Sequence, residues 1–181
     1  MSTSLAIRIL GVGLTVILTA PFTIGYIDNP PMTLPKMYMM SNHIRVLKVE
    51  KHNKEKGVIV FEVVESLKGQ DSQIASFKHL IRTEAAGVKP ILDWVDDGKT
   101  AVMFAFEGKR GVNPAGIGYV FIEKYCYSVD FSRSGKVWVL IRAEPDMSAC
   151  YYGSAGNLQE IVKSIRDGKK VKIPVKEPET K

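Results

Sequence analysis

Val58-Ile-Val-Phe-Glu-Val-Val-Glu-Ser-Leu67 decides the fold. In an extended chain Ile59, Phe61 and Val63 fall on one face, and Val58, Val60 and Val64 on the other. Dense β-branching with a period of two predicts a strand rather than a helix. Polar turns bracket it, Asn53-Lys-Glu-Lys-Gly57 before and Lys68-Gly69-Gln-Asp71 after. Outward from there, His43–His52 reads as the preceding strand, with Ile44, Val46 and Val49 set among charges. Ile74–Arg82 alternates as the following one. The three make a meander.

The period then changes. Pro90–Gly98 reads as one or two helical turns, with Pro90 at a first helical position and Gly98 beyond the end. Thr100–Phe106 is a fourth strand, and Gly108–Gly118 a glycine-containing loop. Tyr119–Phe131 reads as one long aromatic strand, turned at Ser132–Gly135 to pair with Lys136–Arg142. Near the C-terminus Leu158, Ile161, Val162 and Ile165 share one helical face. Asn157 with Glu160 resembles a capping box, and Gly168 ends the helix. The order predicts a mainly β chain with flanking helices (α+β). It takes the form of an OB-like, five- to six-stranded antiparallel barrel over 43–175 with a C-terminal amphipathic helix, and 176–181 as a tail.

Before this domain comes an apolar leader. Arg8 is the only charge before Asp28, and Ile9–Ala20 is apolar apart from glycines and threonines. One positive charge, an apolar run and small residues form the pattern of an export signal. Residues 1–25 are therefore expected to be an apolar export or anchor helix. Pro21 obstructs cleavage after Ala20, which leaves the bond before Tyr26 as the better cleavage site. If it stays uncut, 5–27 is about the length that crosses a bilayer. Residues 26–42, rich in proline over Asn29–Pro35, read as a linker. The expected location is periplasmic or extracellular, with membrane attachment through 5–27 as the variant.

The composition is that of an ordinary folded domain, 45% hydrophobic and 24% charged, with a net charge of +6. A basic exported domain favours anionic headgroups, acidic polysaccharide or an acidic protein partner. No interleaving of aromatic and basic residues points to nucleic acid. Two cysteines, Cys126 and Cys150, in an oxidising compartment suggest a disulfide. The expected hairpin register sets both opposite Ile141, flanking one strand at about 9–10 Å, too far to bond. A bulge or a strand crossing would restore the pair.

Val46-Leu-Lys-Val-Glu-Lys51 followed by Gly57–Gly69 resembles the opening strands of exported OB-barrel modules of the netrin-like type. That group includes the tissue inhibitors of metalloproteinases. The most specific phrase is Phe61-x-Val63-x-x-x-Leu67-Lys68-Gly69, and the resemblance covers Ile44–Gly153. It implies a fold and is nearly silent on function. The inhibitors engage the protease zinc through an N-terminal cysteine. Residues 26–40 contain none, so that activity is not implied here.

Chemical motifs are sparse. Gly98-Lys99-Thr100 has Asp93 where a phosphate loop needs glycine. Gly108-Lys-Arg-Gly111 is a basic turn, read as a plain loop. Asp93, Asp96 and Asp97 lie on one helical side, and the ordinary reading is a solvated helix end. Glu62/Glu65 and Glu107/Asp130 lack a spacing that argues for acid–base catalysis. His43, His52 and His79 are too far apart in sequence for a local zinc motif. Met37, Met39, Met40 and His43 are a soft-ligand cluster of the kind Cu(I) prefers. Tyr119, Phe121, Tyr125 and Tyr127, odd-numbered on one strand, offer a ligand-binding face.

The expected function is an exported, non-enzymatic β-barrel module without a cofactor. It binds a protein or envelope partner, as an accessory subunit of a membrane complex. The alternatives are a periplasmic copper-handling protein and an exported enzyme whose residues assemble only in space.

Overall fold

Alternation at Val58–Leu67 produces what it predicts. Ile59 and Phe61 are 2% exposed, while Val58 and Val60 are half-buried and Val64 faces solvent. The computed structural model describes residues 32–69, 76–81, 89–106, 117–131 and 137–176. In chain order the elements are α1 (Leu34–Met40), β1 (His43–Asn53), β2 (Val58–Lys68), β3 (Ser76–Ile81), α2 (Lys89–Trp94) and β4 (Thr100–Phe106). They continue with β5 (Ile117–Ile122), β6 (Tyr125–Phe131), β7 (Val137–Ala143), a 3-10 turn (Pro145–Ala149) and α3 (Ala155–Arg166). The chain is thus mainly β with helices, as expected. The leader at 1–25 lies outside the described residues, and no helix among those described is long and apolar enough to cross a membrane.

Strands pair in the order β1-β2-β3-β7-β6-β5-β4, and β4 pairs back onto β1, so the ring of strands closes. Two details correct the sequence reading. The described residues form seven strands rather than five to six, and the β3–β7 contact is parallel, Lys78 opposite Val137 through Ile81 opposite Leu140. The extra strand comes from Tyr119–Phe131, which is two strands with Ile122 opposite Tyr125. Glu123 and Lys124 make the turn, and Glu123 takes φ +50° to do so. Hairpin turns usually announce themselves with glycine or asparagine, and here neither is present.

The interior of the ring holds Leu47, Val49, Ile59, Phe61, Ala101, Met103, Val120, Ile122, Tyr127, Val129 and Leu140, with Ile91 and Val95 from the α2 region. A second apolar layer lies on the outside. Ile44, Val46, Val102, Phe104, Phe121 and Cys126 point outward onto Leu34 and Met37 of α1, Met147, Cys150 and Tyr151 of the 3-10 turn segment, and Leu158, Ile161 and Val162 of α3. β4 is therefore buried on both faces, which is why Thr100–Phe106 reads as an unbroken apolar run. Each large side chain buried from α3 stabilises the fold by about 1.5–3 kcal/mol.

Local signals set the helix ends. The N-cap of α3 is Ser154, whose hydroxyl accepts the Asn157 amide at 3.2 Å, so the helix starts earlier than the Asn157–Glu160 reading implies. Gly168 ends it at φ +70°. Helix α1 occupies the stretch read as linker, and Leu34 and Met37 anchor it in the outer layer.

Among the described residues, Tyr127 Oη and Trp94 Nε1 are buried without a hydrogen-bond partner. A buried orphan hydroxyl carries a desolvation cost of about 1–3 kcal/mol. Tyr127→Phe, which removes the hydroxyl and keeps the ring, is expected to raise stability by about 1 kcal/mol in denaturant titration. A loss of that size would show that the hydroxyl has a partner.

Candidate ligand groove

The β5–β6 turn, the 3-10 turn and the C-terminal tail enclose two adjoining hollows. One, of about 330 Å³, is lined by Lys124, Tyr125, Cys126, Glu144, Ser148, Tyr152 and Lys176, among others. Its neighbour, of about 540 Å³, is lined by Glu123, Lys124, Tyr125, Tyr152, Gly153 and Ser154. Lys124, Tyr125 and Tyr152 are common to both, so the two form one groove.

Each wall has a local cause. The Glu144 amide donates to the Cys126 carbonyl at 2.8 Å, and Pro145 then turns the chain away from β6. The tail is pinned by two backbone bonds, Tyr152 N–H to the Pro174 carbonyl at 2.8 Å and Lys176 N–H to the Ser148 carbonyl at 2.9 Å. Tyr151 turns inward, 1% exposed, and its hydroxyl donates to the Ser154 carbonyl at 2.6 Å. Gly153 permits this close fit, because a Cβ there would stand 2.6 Å from the Tyr151 hydroxyl. At the rim Glu123 holds a left-handed backbone that costs a non-glycine residue about 1–2 kcal/mol. Strain of this kind gathers at functional sites.

The groove presents aromatic surface and charges of both signs. Tyr125 is 40% exposed, and the Lys124 ammonium lies 5.5 Å from its ring centroid. Lys124 and Lys176 are balanced by Glu123 and Glu144. Such a lining suits stacking and hydrogen bonding to an extended polypeptide better than capture of a simple anion.

The aromatic face expected on one strand is divided. The turn at Glu123–Lys124 reverses the parity, so Phe121 lies opposite Cys126 in the outer layer while Tyr127 lies opposite Val120 in the interior. Tyr119 packs against the outer layer beside Phe106, with ring centroids 5.8 Å apart. Only Tyr125 of the four lines the groove. Tyr152 and Gly153 were missed, and their signal was the Tyr151-Tyr152-Gly153 run.

Cys126 and Cys150 are free thiols here, 5% and 2% exposed, in the same apolar layer. The expected register is corrected. Phe131 lies opposite Trp138 and Tyr127 opposite Ala143, so Cys126 sits beside Glu144 rather than Ile141. The pairing of Phe131 with Trp138 and a bulge at Ser128/Val129 make the shift. Cys150 caps a 3-10 turn and is not paired across a strand. Burial pushes the Cys126 thiol well above the usual range and the Cys150 thiol up to about 12. Both are thereby poor nucleophiles. In the folded chain at about pH 8, iodoacetamide should label neither at the rate of a free thiol, and denaturant should expose both. Free-thiol rates in the folded chain would contradict this packing. Because folding raises both values, keeping these protons adds stability that is complete below about pH 9 and lost as pH climbs toward 12.

Met37, Met39, Met40 and His43 do not share one environment. Met37 is fully buried in the outer layer, Met39 and Met40 are 70% and 51% exposed, and His43 opens β1 with its Nδ1 3.4 Å from the Arg45 guanidinium. The acidic trio at the end of α2 is spread over separate partners. Asp93 meets Lys89 at 2.6 Å, Asp96 meets Lys54 at 3.6 Å, and Asp97 meets His52 at 3.1 Å. Glu65 joins β2 to α3 through Gln159 and Lys163. Among the described residues no group of three or more His, Cys, Asp or Glu could hold a metal. Residues 107–116, which contain Glu107 and the basic turn Gly108–Gly111, lie outside the described residues, as does the Asp130 side chain. Comparison with family models, curated proteins and solved structures returns no match.

Proposed function

We propose that this chain is an exported binding module built on an OB-type barrel, which grips an extended segment of an envelope protein in the groove at Tyr125 and Tyr152. The OB reading is supported by chain order. β1, β2 and β3 form a meander, α2 precedes β4, β4 returns to β1, and the last strand runs parallel to β3. On this reading β5 and β6 are an added hairpin whose turn serves as one lip of the groove. The apolar leader at 1–25 supports export. The observation that carries the binding role is the continuity of the two hollows across Lys124, Tyr125 and Tyr152.

The test is capture of a partner from gently solubilised membranes. The parent chain is expected to retain one protein stoichiometrically. Tyr125→Ser with Tyr152→Ser should weaken retention at least tenfold, about 1.4 kcal/mol, in a chain that still folds and melts within about 5 °C of the parent. Retention unchanged by the double substitution, or only free monomer from the parent chain, would overturn the proposal.

A further inference from the structure

Helix α1 carries a single charge, Lys36, and is otherwise apolar. It buries Leu34 and Met37, and it turns Pro35, Met39 and Met40 outward, with Lys36 half-buried between the methionines. Met39 and Met40 are the most exposed large apolar side chains among the described residues. Helix α3 shows the usual arrangement, burying Leu158, Ile161 and Val162 while Asn157, Glu160 and Arg166 face solvent. A helix apolar on both sides is normally covered on both.

These methionines are held in place. The Thr33 hydroxyl accepts the Lys36 amide at 3.4 Å. The Lys68 ammonium donates to the Tyr38 and Met39 carbonyls at 2.6 and 3.2 Å. The Ser41 amide and hydroxyl both donate to the Met37 carbonyl, at 3.0 and 2.6 Å.

What lies before α1 names the occupant. The apolar stretch 5–27 ends seven residues before Leu34. Fully extended, that interval spans about 25 Å, so a membrane-held 5–27 keeps α1 close to the bilayer surface. Lys36, half-buried on the helix itself, suits anionic headgroups. We propose that the outer face of α1 rests on the bilayer, with Met39 and Met40 at the boundary between headgroups and acyl chains. This rests on the reading of 5–27 as a retained anchor.

The full-length chain carrying Met39→Trp, incorporated into vesicles of mixed neutral and anionic phospholipid, tests it. The added emission, over that of Trp94 and Trp138 in the parent chain, should fall about twofold when the lipids are brominated high on the acyl chain. It should change little when bromine lies near the bilayer centre. Adding Met40→Lys should reduce the quenching. A chain that floats with the vesicles yet shows no quenching leaves the anchor standing and overturns the docking. Crosslinking of α1 to a second copy, without quenching, overturns it in favour of a dimer contact. A chain that does not float overturns both the anchor and the docking.

Discussion

Phe121→Ala is expected to cost about 3–5 kcal/mol, a large share of the stability of a domain this size. Phe121 is fully buried where the outer face of β5 meets the segment that leads into α3. Its ring meets Phe104 edge-on at 5.6 Å and Tyr151 at 5.9 Å, which links β4, β5 and the post-barrel chain in one contact. Truncation opens a cavity between two rigid layers that cannot close on each other. The melting point should fall by about 10 °C or more. Tyr125→Ala, on the same hairpin but partly exposed, should cost about 1 kcal/mol or less. If the two variants are equally mild, the outer layer is not packed as described.

Gly69→Ala is the second large expectation. Gly69 has φ +83°, where a side chain costs about 1–2 kcal/mol. A Cβ there would collide with the His43 ring and stand 2.6 Å from the Asn42 carbonyl oxygen. Neither is free to yield, since the Asn42 backbone N–H donates a hydrogen bond to the Ala105 carbonyl at 2.9 Å and the His43 ring lies 3.4 Å from the Arg45 guanidinium. The combined cost is about 3–5 kcal/mol, with the crowding contributing the larger part. Gly156→Ala, with nothing within 4 Å of the new Cβ and a helical backbone, should be neutral or slightly stabilising. A Gly69→Ala chain that denatures with the parent would show that the Leu67-Lys68-Gly69 turn does not hold β2 against the start of β1.

These two residues mark how far the sequence could be read. Gly69 was legible as part of the turn Lys68–Asp71, although its positive φ was not. The meander and the apolar face of α3 were legible because periodicity reports which face is buried, and Thr100–Phe106 because a short apolar run reads as a strand covered on both faces. Phe121 was misplaced because its strand was read as continuous through Glu123 and Lys124. One unannounced turn reversed the parity of everything after it, sending Tyr127 inward and leaving Phe121 against Tyr151. Helix α1 was taken for a linker because Pro30, Pro31 and Pro35 read as a loop, and because its seven residues, apolar almost throughout, are too few to show a period. The groove was least legible. Its walls come from a hairpin turn, a 3-10 turn and a tail joined by backbone hydrogen bonds, and such bonds leave no pattern in side-chain chemistry.

On the proposed function, residues 1–25 carry this domain out of the cytoplasm. The direct measurement is the N-terminal residue of the natural protein, together with the cell fraction that holds it. The chain should be found outside the cytoplasm, in the membrane fraction and beginning at Met1 or Ser2, if α1 lies on the bilayer as inferred. An intact chain dissolved in the cytosol would contradict export, the envelope partner and the membrane-facing helix together.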